Sequence, residues 1–308
     1  MTVIAPRRPE GFGTSSSDPQ PKVDGVASGS ASLAPVAPIP SPQATLALLN
    51  SRFLSAIQAI RQRYINYLSG EICDEISEHD DMFVSGSRDH YMAVGRSAID
   101  LIAAAMLAAQ KSRVAAVLDL PCGGGRLTRH LKAFLPEAQL YVGDLNKPKE
   151  AFVVATFGAT PINPQADFSV PASNRFDLIF VGSLVTHVGP NQYERAIRWF
   201  IDALAPDGLL TFTTHGRRTM HLFGPTFHSG EWQQGCRSYA DTGFGYLPYD
   251  PAMPPDGPES HGTGLSAPSW VARLVESEPG ARFVSRGEGA WASNQDVVVL
   301  QKRPIAAG

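Results

Sequence analysis

From Thr45 onward apolar side chains recur every three or four positions, at Leu46, Leu49, Phe53, Ile57, Ile60, Tyr64 and Tyr67, and Gly70 stops the run. That spacing predicts an amphipathic helix packed on a larger body. A second helical pattern spans Asp89 to Lys111, with Ile99, Ile102 and Met106 on one side. After Arg113 short apolar runs alternate with helical patterns. Strands are predicted at Val114–Leu120, Gln139–Val142, Thr160–Ile162, Phe176–Val181 and Leu209–Thr213, and helices at Arg126–Phe134, Lys149–Phe157 and Gln192–Leu204. Such alternation implies a parallel sheet covered on both faces. The end differs, because "ARFVSRGEGAW" and "QDVVVLQKR" are two strand-like runs with only a short link, as an antiparallel hairpin requires.

Composition adds the remaining organisation. Residues 1–43 are rich in Pro, Ser, Ala and Gly with few large apolar side chains, too few to offset the entropy of ordering, and read as a disordered tail without a clear P-x-x-P repeat. Residues 44–112 then form an N-terminal helical layer and 113–308 an α/β domain, with a long insert at 217–268. Of the 308 residues 43% are hydrophobic and 18% charged, enough for a sizeable core, and the net charge of -3 leaves no basic footprint for nucleic acid. The three widely spaced cysteines, Cys73, Cys122 and Cys236, do not suggest a disulfide framework and point to a cytoplasmic location. Neither a signal peptide nor a membrane span is expected, for lack of an apolar run of suitable length.

The chemistry is concentrated in "VLDLPCGGGRLTRHL", residues 117–131, where a strand ends in Asp119 and turns through Gly123, Gly124 and Gly125 toward a helix. Bare backbone at the carboxyl edge of a parallel sheet is where open α/β folds bind nucleotides. A dinucleotide fingerprint G-x-G-x-x-G starting at Gly123 requires a glycine where Thr128 stands, which counts against a dehydrogenase. The pattern acid-x-x-x-G-x-G, met by Asp119, Gly123 and Gly125, resembles motif I of the class I S-adenosylmethionine-dependent methyltransferases, with Pro121 in place of the usual first glycine.

The resemblance extends along the chain. "YVGDLN" puts Asp144 where that family holds the ribose hydroxyls, although a dehydrogenase also places an acid there. "ADFSVPASNRFDLIFVGSLVTHV" is similar to the family's third and fourth strands, which puts Asp167 at the adenine amino group and Phe168 over the ring. Leu145 and Ser183 complete the implied cofactor wall. "LAPDGLLTFTTHG" resembles the turn and fifth strand that follow. The family's fold is a Rossmann-like seven-stranded, mostly parallel sheet with an antiparallel last strand and helices on both faces. A narrower set of pieces, among them "DHYMAVGRSA", "DLPCGGGR" and "GSLVTH", looks like a bacterial methyltransferase group associated with glycan and cell-surface biosynthesis.

The resemblance implies S-adenosyl-L-methionine as cofactor and methyl transfer to oxygen of a small molecule or glycan. A binding protein that has lost turnover and a nucleotide-dependent oxidoreductase are the competing classes. His187, after the fourth strand, is the first candidate for a general base, with a packing role as the alternative; His215, after the fifth strand, is a candidate acceptor contact. The spacing of His221, His228 and His261 is too irregular for a metal site. Asp80 and Asp81 read as a solvated run or a cap, with Arg88 and Tyr91 near enough in sequence to cover the cofactor. The insert 217–268 carries Phe223, Phe227, Trp232, Tyr239, Phe244, Tyr246 and Tyr249 among Gly and Pro, and is expected to act as an acceptor lid that uses Trp232 and Tyr246.

Overall fold

The computed structural model describes residues 41–84, 87–165, 167–173, 175–223, 230–250 and 261–303; the expected tail, Phe227 and His228, and the side chain of Phe223 lie outside the described residues. In chain order, helices α1 (Pro42–Ser69) and α2 (Arg88–Ala109) precede strand β1 (Ala116–Asp119). Then come α3 (Thr128–Phe134), β2 (Gln139–Val142), α4 (Lys147–Phe157), β3 (Thr160–Pro161), β4 (Phe176–Val181), α5 (Pro190–Ala203) and β5 (Leu204–Thr214). The insert holds α6 (Arg217–Phe223), α7 (Gly230–Thr242), β6 (Phe244–Pro248) and β7 (Gly262–Ser266). The chain continues with α8 (Pro268–Glu276), β8 (Ala281–Trp291) and β9 (Gln295–Lys302).

The main sheet has seven strands in the order β3-β2-β1-β4-β5-β9-β8, parallel from β3 to β5, with β9 antiparallel to both of its neighbours. Successive side chains on a strand face opposite ways, and the apolar residues of the central strands are buried on both faces of the sheet. Val117, Leu178, Phe180, Leu209, Val297 and Val299 join one core with α2 and α3; Leu118, Ile179, Val181, Leu210, Val298 and Leu300 join the other with α5 and α8. The strand order reverses between β1 and β4, and their carboxyl ends carry Asp119 and Val181.

Helix α2 is long and apolar enough to cross a bilayer by length and composition, yet its Ile99, Ile102 and Met106 are fully buried in the first core. Helix α1 keeps its predicted stripe only in its second half: Ile60 and Tyr67 are buried, whereas Leu46 and Phe53 are exposed. Residues Leu46–Gly308 form one unit; Met1–Thr45, mostly outside the described residues, is counted apart.

The sheet departs from expectation in two places. Strand β5 begins at Leu204, with the turn around Pro206 and Gly208 absorbed as a register shift opposite Phe176 and Leu178. The insert, expected as a loop, contains two helices and the antiparallel pair β6–β7. Glycine is depleted in strands, so "GFGYLP" and "GTGLS" do not read as strands locally. Here the absence of a side chain is what lets α7 lie on β6: a Cβ on Gly245 would stand 2.1 Å from the Gly235 carbonyl oxygen.

Candidate active site

The glycine turn has three different reasons for its three glycines. Gly123 takes φ +52° and faces open space; a Cβ on Gly124 would come 2.3 Å from Oδ2 of Asp80; Gly125, at φ +82°, would meet the Phe157 ring at 2.7 Å. Two of these positions are therefore bare because the protein itself packs against them. The Gly123 and Gly125 amides are used internally, Gly123 N–H donating to Asp144 Oδ2 at 2.8 Å and Gly125 N–H to the Cys122 carbonyl at 3.0 Å.

The segment before α2 covers this turn. Asp80 is buried, against the expectation of a solvated run: its Oδ2 accepts from the Tyr91 hydroxyl at 2.5 Å and its Oδ1 from the Met82 amide. Asp81 is exposed and paired with Lys149 at 2.6 Å. Arg88 turns away to the Asp74 carbonyl. Fully buried Arg129 ties the two layers, donating to the carbonyls of Cys73 and Glu75 on one side and of Gly125 on the other.

Asp119 lies beneath the turn rather than on a cavity wall. Its Oδ2 accepts from the Thr128 hydroxyl at 2.6 Å, so the residue that breaks the dinucleotide pattern is the partner of the motif acid. Burial pushes the Asp119 carboxyl up to about 7, opposed by that hydroxyl.

Above the turn is a cavity of about 570 Å³, within the ordinary range for small-ligand sites. Leu120 and Pro121 follow β1, Asp144 and Leu145 follow β2, Ile162 and Asn163 follow β3, and Ser183, Leu184 and His187 follow β4; all line it, with Gln165 and Phe168. The Leu120–Pro121 peptide is cis. Asp144 also accepts from the Asn146 amide, and its own amide donates to Glu150. Leu145 is 73% exposed, an apolar side chain with no apolar cover. Phe168, at φ +57°, rests against Trp199 and Phe200. Ser183, also left-handed at φ +60°, donates its amide to Thr213 and accepts from Gln295 through its hydroxyl.

His187 sits in the 3₁₀ turn Val185–His187 on the cavity wall. Its Nδ1 is 3.0 Å from the Gly262 carbonyl and 3.0 Å from the Tyr249 hydroxyl. A carbonyl only accepts, so Nδ1 carries the proton and Nε2 keeps a free lone pair. Burial lowers the His187 pKa, offset in part by that carbonyl. Tyr249 and His261 complete the wall on this side.

Several expected site residues stand elsewhere. Asp167 lies outside the cavity lining, its Oδ1 taken by the Ser169 amide, while Asn163 and Gln165 face the space it was expected to serve. His215 is buried behind His187, with ring centroids 6.2 Å apart, and burial followed by the nearby His187 takes its pKa down to about 4. Trp232 is buried on α7 and Tyr246 packs against the second core from β6; neither lines the cavity. Tyr249, one of the insert's aromatics, and His261 line the cavity instead.

The methyltransferase-domain family model matches residues 88–253, more than half of the chain. The chain belongs to this methyltransferase family. It is an S-adenosylmethionine-dependent methyltransferase with the Rossmann-like class I fold. No curated protein matches it significantly. Among solved structures it is similar to the N-methyltransferase NodS from Bradyrhizobium japonicum in complex with S-adenosylhomocysteine: 16% identity, 80% of this chain and 98% of that one, TM-score 0.42. The 1,6-didemethyltoxoflavin-N1-methyltransferase of Burkholderia thailandensis gives 16%, 87%, 93% and 0.43. An S-adenosylmethionine-dependent methyltransferase from Clostridium acetobutylicum gives 12%, 69%, 92% and 0.48.

The residues present suit the cofactor. A carboxylate has about four acceptor sites, and two backbone amides occupy two of them on Asp144, so it can still receive ribose hydroxyls. Leu145, Ile162 and Phe168 offer apolar surface for an adenine ring, with the Asn163 and Gln165 amides at its edge.

Proposed function

We propose that the enzyme methylates a hydroxyl of a small molecule or glycan, with His187 as the general base. The observation that carries this reading is the tautomer that the Gly262 carbonyl imposes: the free Nε2 is neutral and able to accept a proton, and the lowered pKa keeps it so at neutral pH. S-adenosylmethionine, when bound, supplies an electrophilic methyl group that an in-line nucleophile can take. The chain's own work is to hold, orient and exclude water. Asp144 binds the ribose and at the same time fixes the turn through the Gly123 amide; Leu145 and Phe168 cover the base; Ser183 bounds the opposite end. Positioning of this kind accounts for roughly 7–11 kcal/mol in well-oriented systems.

Residues 217–268 serve as the acceptor lid, a role supported by Tyr249 and His261, which bracket the undescribed 251–260 and both reach the cavity wall. Tyr249 takes the part that the sequence reading gave to Trp232 and Tyr246. His215 packs behind the base and holds it in place. The unpaired thiols of Cys73, Cys122 and Cys236 fit a cytoplasmic enzyme.

A screen with methyl-labelled cofactor over phenols, sugars and lipid-linked glycans tests the reading. Label in an alkali-stable ether is the expected product. Label found only on nitrogen would overturn the oxygen assignment, and a His187→Ala enzyme with full turnover would remove the base.

A further inference from the structure

At the amino edge of the sheet, opposite the cavity, helix α1 faces the loop that joins α2 to β1, and a groove of about 880 Å³ runs between them. Arg52 and Arg63 line it from α1, eleven positions apart, which is three helical turns and about 16 Å at a rise of about 1.5 Å per residue. The α1 residues that face the groove between them, Ser55, Ala56 and Ala59, are small, so the floor is open from one arginine to the other. Arg113 stands across from them on the loop, whose Ser112 carbonyl accepts from Arg63 at 2.8 Å. Gln110, Ser112 and Arg113 also line a second recess of about 590 Å³, which continues toward β8 and β9 and adds Lys111 and Arg282.

These cations are poorly neutralised. Lys111 is paired with Asp177 at 2.9 Å, but Arg63 bonds only a backbone carbonyl and Arg282 only the Gln301 amide oxygen. Arg52 and Arg113, both exposed, make no hydrogen bond or ion pair among the described residues. Asp207 is the one carboxylate among the described residues that line the two recesses. The whole chain has more acids than bases, 29 against 26, yet α1 carries three arginines and no acid in 28 residues. Like charges converging on a recess repel one another until an anion enters it. Among the described lining residues no aromatic ring offers a nucleobase a surface to stack on, and no apolar side chain larger than alanine offers room to an acyl chain.

We propose that this groove binds a linear phosphate-bearing chain. One phosphate reaches one arginine; arginines about 16 Å apart along α1 need several anionic groups in line. Guanidinium forks meet phosphoryl oxygens two at a time, and the Ser55 and Ser112 hydroxyls and the Gln110 amide can donate to the oxygens between them. The length of β1, about 13 Å for four residues at about 3.3 Å each, separates this edge from the cofactor cavity, so the two sites fill independently.

Calorimetry on the full chain at low salt compares four probes: orthophosphate, a linear inorganic polyphosphate long enough to span Arg52 and Arg63, poly-glutamate of equal charge, and phosphatidylglycerol vesicles. Polyphosphate should bind saturably and at least about 10-fold more tightly than orthophosphate, with S-adenosylhomocysteine at saturation making no difference. Arg52→Gln and Arg113→Gln should each weaken polyphosphate about 5- to 10-fold and lower the slope of log affinity against log salt by about one. Arg61→Gln, on α1 but outside the groove, should leave both within about twofold. Equal weakening by Arg61→Gln would mean diffuse attraction to the helix, and poly-glutamate bound as tightly would remove the assignment to phosphate. Binding to vesicles without binding to polyphosphate would make this a membrane-facing surface, and competition by S-adenosylhomocysteine would move the chain to the cavity. Each of these results overturns the proposal, as does the absence of polyphosphate binding.

Discussion

Replacing Asp119 with Asn changes one buried charge and little else, because Asn Oδ1 can accept the same Thr128 hydroxyl that Asp119 now accepts at 2.6 Å. In the native protein burial raises this carboxyl from the ordinary 3.8 to about 7. A raised carboxyl pKa means the folded chain holds the proton more tightly than the unfolded chain between about pH 4 and pH 7. Stability is therefore lost as pH rises through that window and is constant above it. About three pH units at about 1.4 kcal/mol each amount to a penalty on the order of 4 kcal/mol at pH 8, absent at pH 4. Asn carries no such penalty. At roughly 2 °C per kcal/mol for a chain of this size, Asp119→Asn should melt up to roughly 8 °C above the native protein at pH 8, with the gap closing toward pH 4. Melting both proteins across this range, with urea titrations at the two ends, isolates the residue because all other groups titrate equally in both. A gap that is independent of pH, or that widens on acidification, would refute the raised pKa of the buried carboxyl.

Asp144→Ala should weaken S-adenosylhomocysteine at least about 30-fold by calorimetry, since it removes charge-assisted bonds to the ribose together with the clamp on the Gly123 amide. His187→Ala should lower turnover by about 10²–10⁴ with S-adenosylhomocysteine affinity within a few-fold; loss of affinity with turnover intact would mark a packing role. Because the His187 pKa lies below its ordinary 6.5 and the neutral form is the active one, native turnover should hold its plateau down to about pH 6.5 and fall only below it, as a pH–rate profile would record. Trp232→Ala should act as a core truncation, destabilising by about 3–5 kcal/mol in a denaturant titration with cofactor affinity retained; a stable variant with a raised acceptor Michaelis constant would return Trp232 to the acceptor site.

Periodicity made most strands of the main sheet legible. Phe176–Val181 and Gln139–Val142 stand as read, and the closing hairpin lies within a residue of its predicted ends. It failed at β6 and β7, where the glycines that permit contact with α7 also remove the strand signature. Motif spacing placed Asp144, Leu145, Phe168 and Ser183 on the cavity wall, since each closes a strand or follows one at the carboxyl edge. Asp119 and Asp167 lie outside the cavity lining, because spacing fixes where a residue sits along the chain and leaves open which way its carboxylate turns. The aromatic content of the insert does not separate Tyr249, which lines the cavity, from Trp232, which is buried.

The central claim is that the cavity at the carboxyl ends of β1, β2 and β4 receives S-adenosylmethionine through Asp144, and its most direct test is calorimetric titration of the purified chain with S-adenosylhomocysteine and, separately, with NAD. The account predicts saturable binding of one S-adenosylhomocysteine per chain, sharply weakened by Asp144→Ala, and no heat from NAD; saturable NAD binding with none of S-adenosylhomocysteine would contradict it.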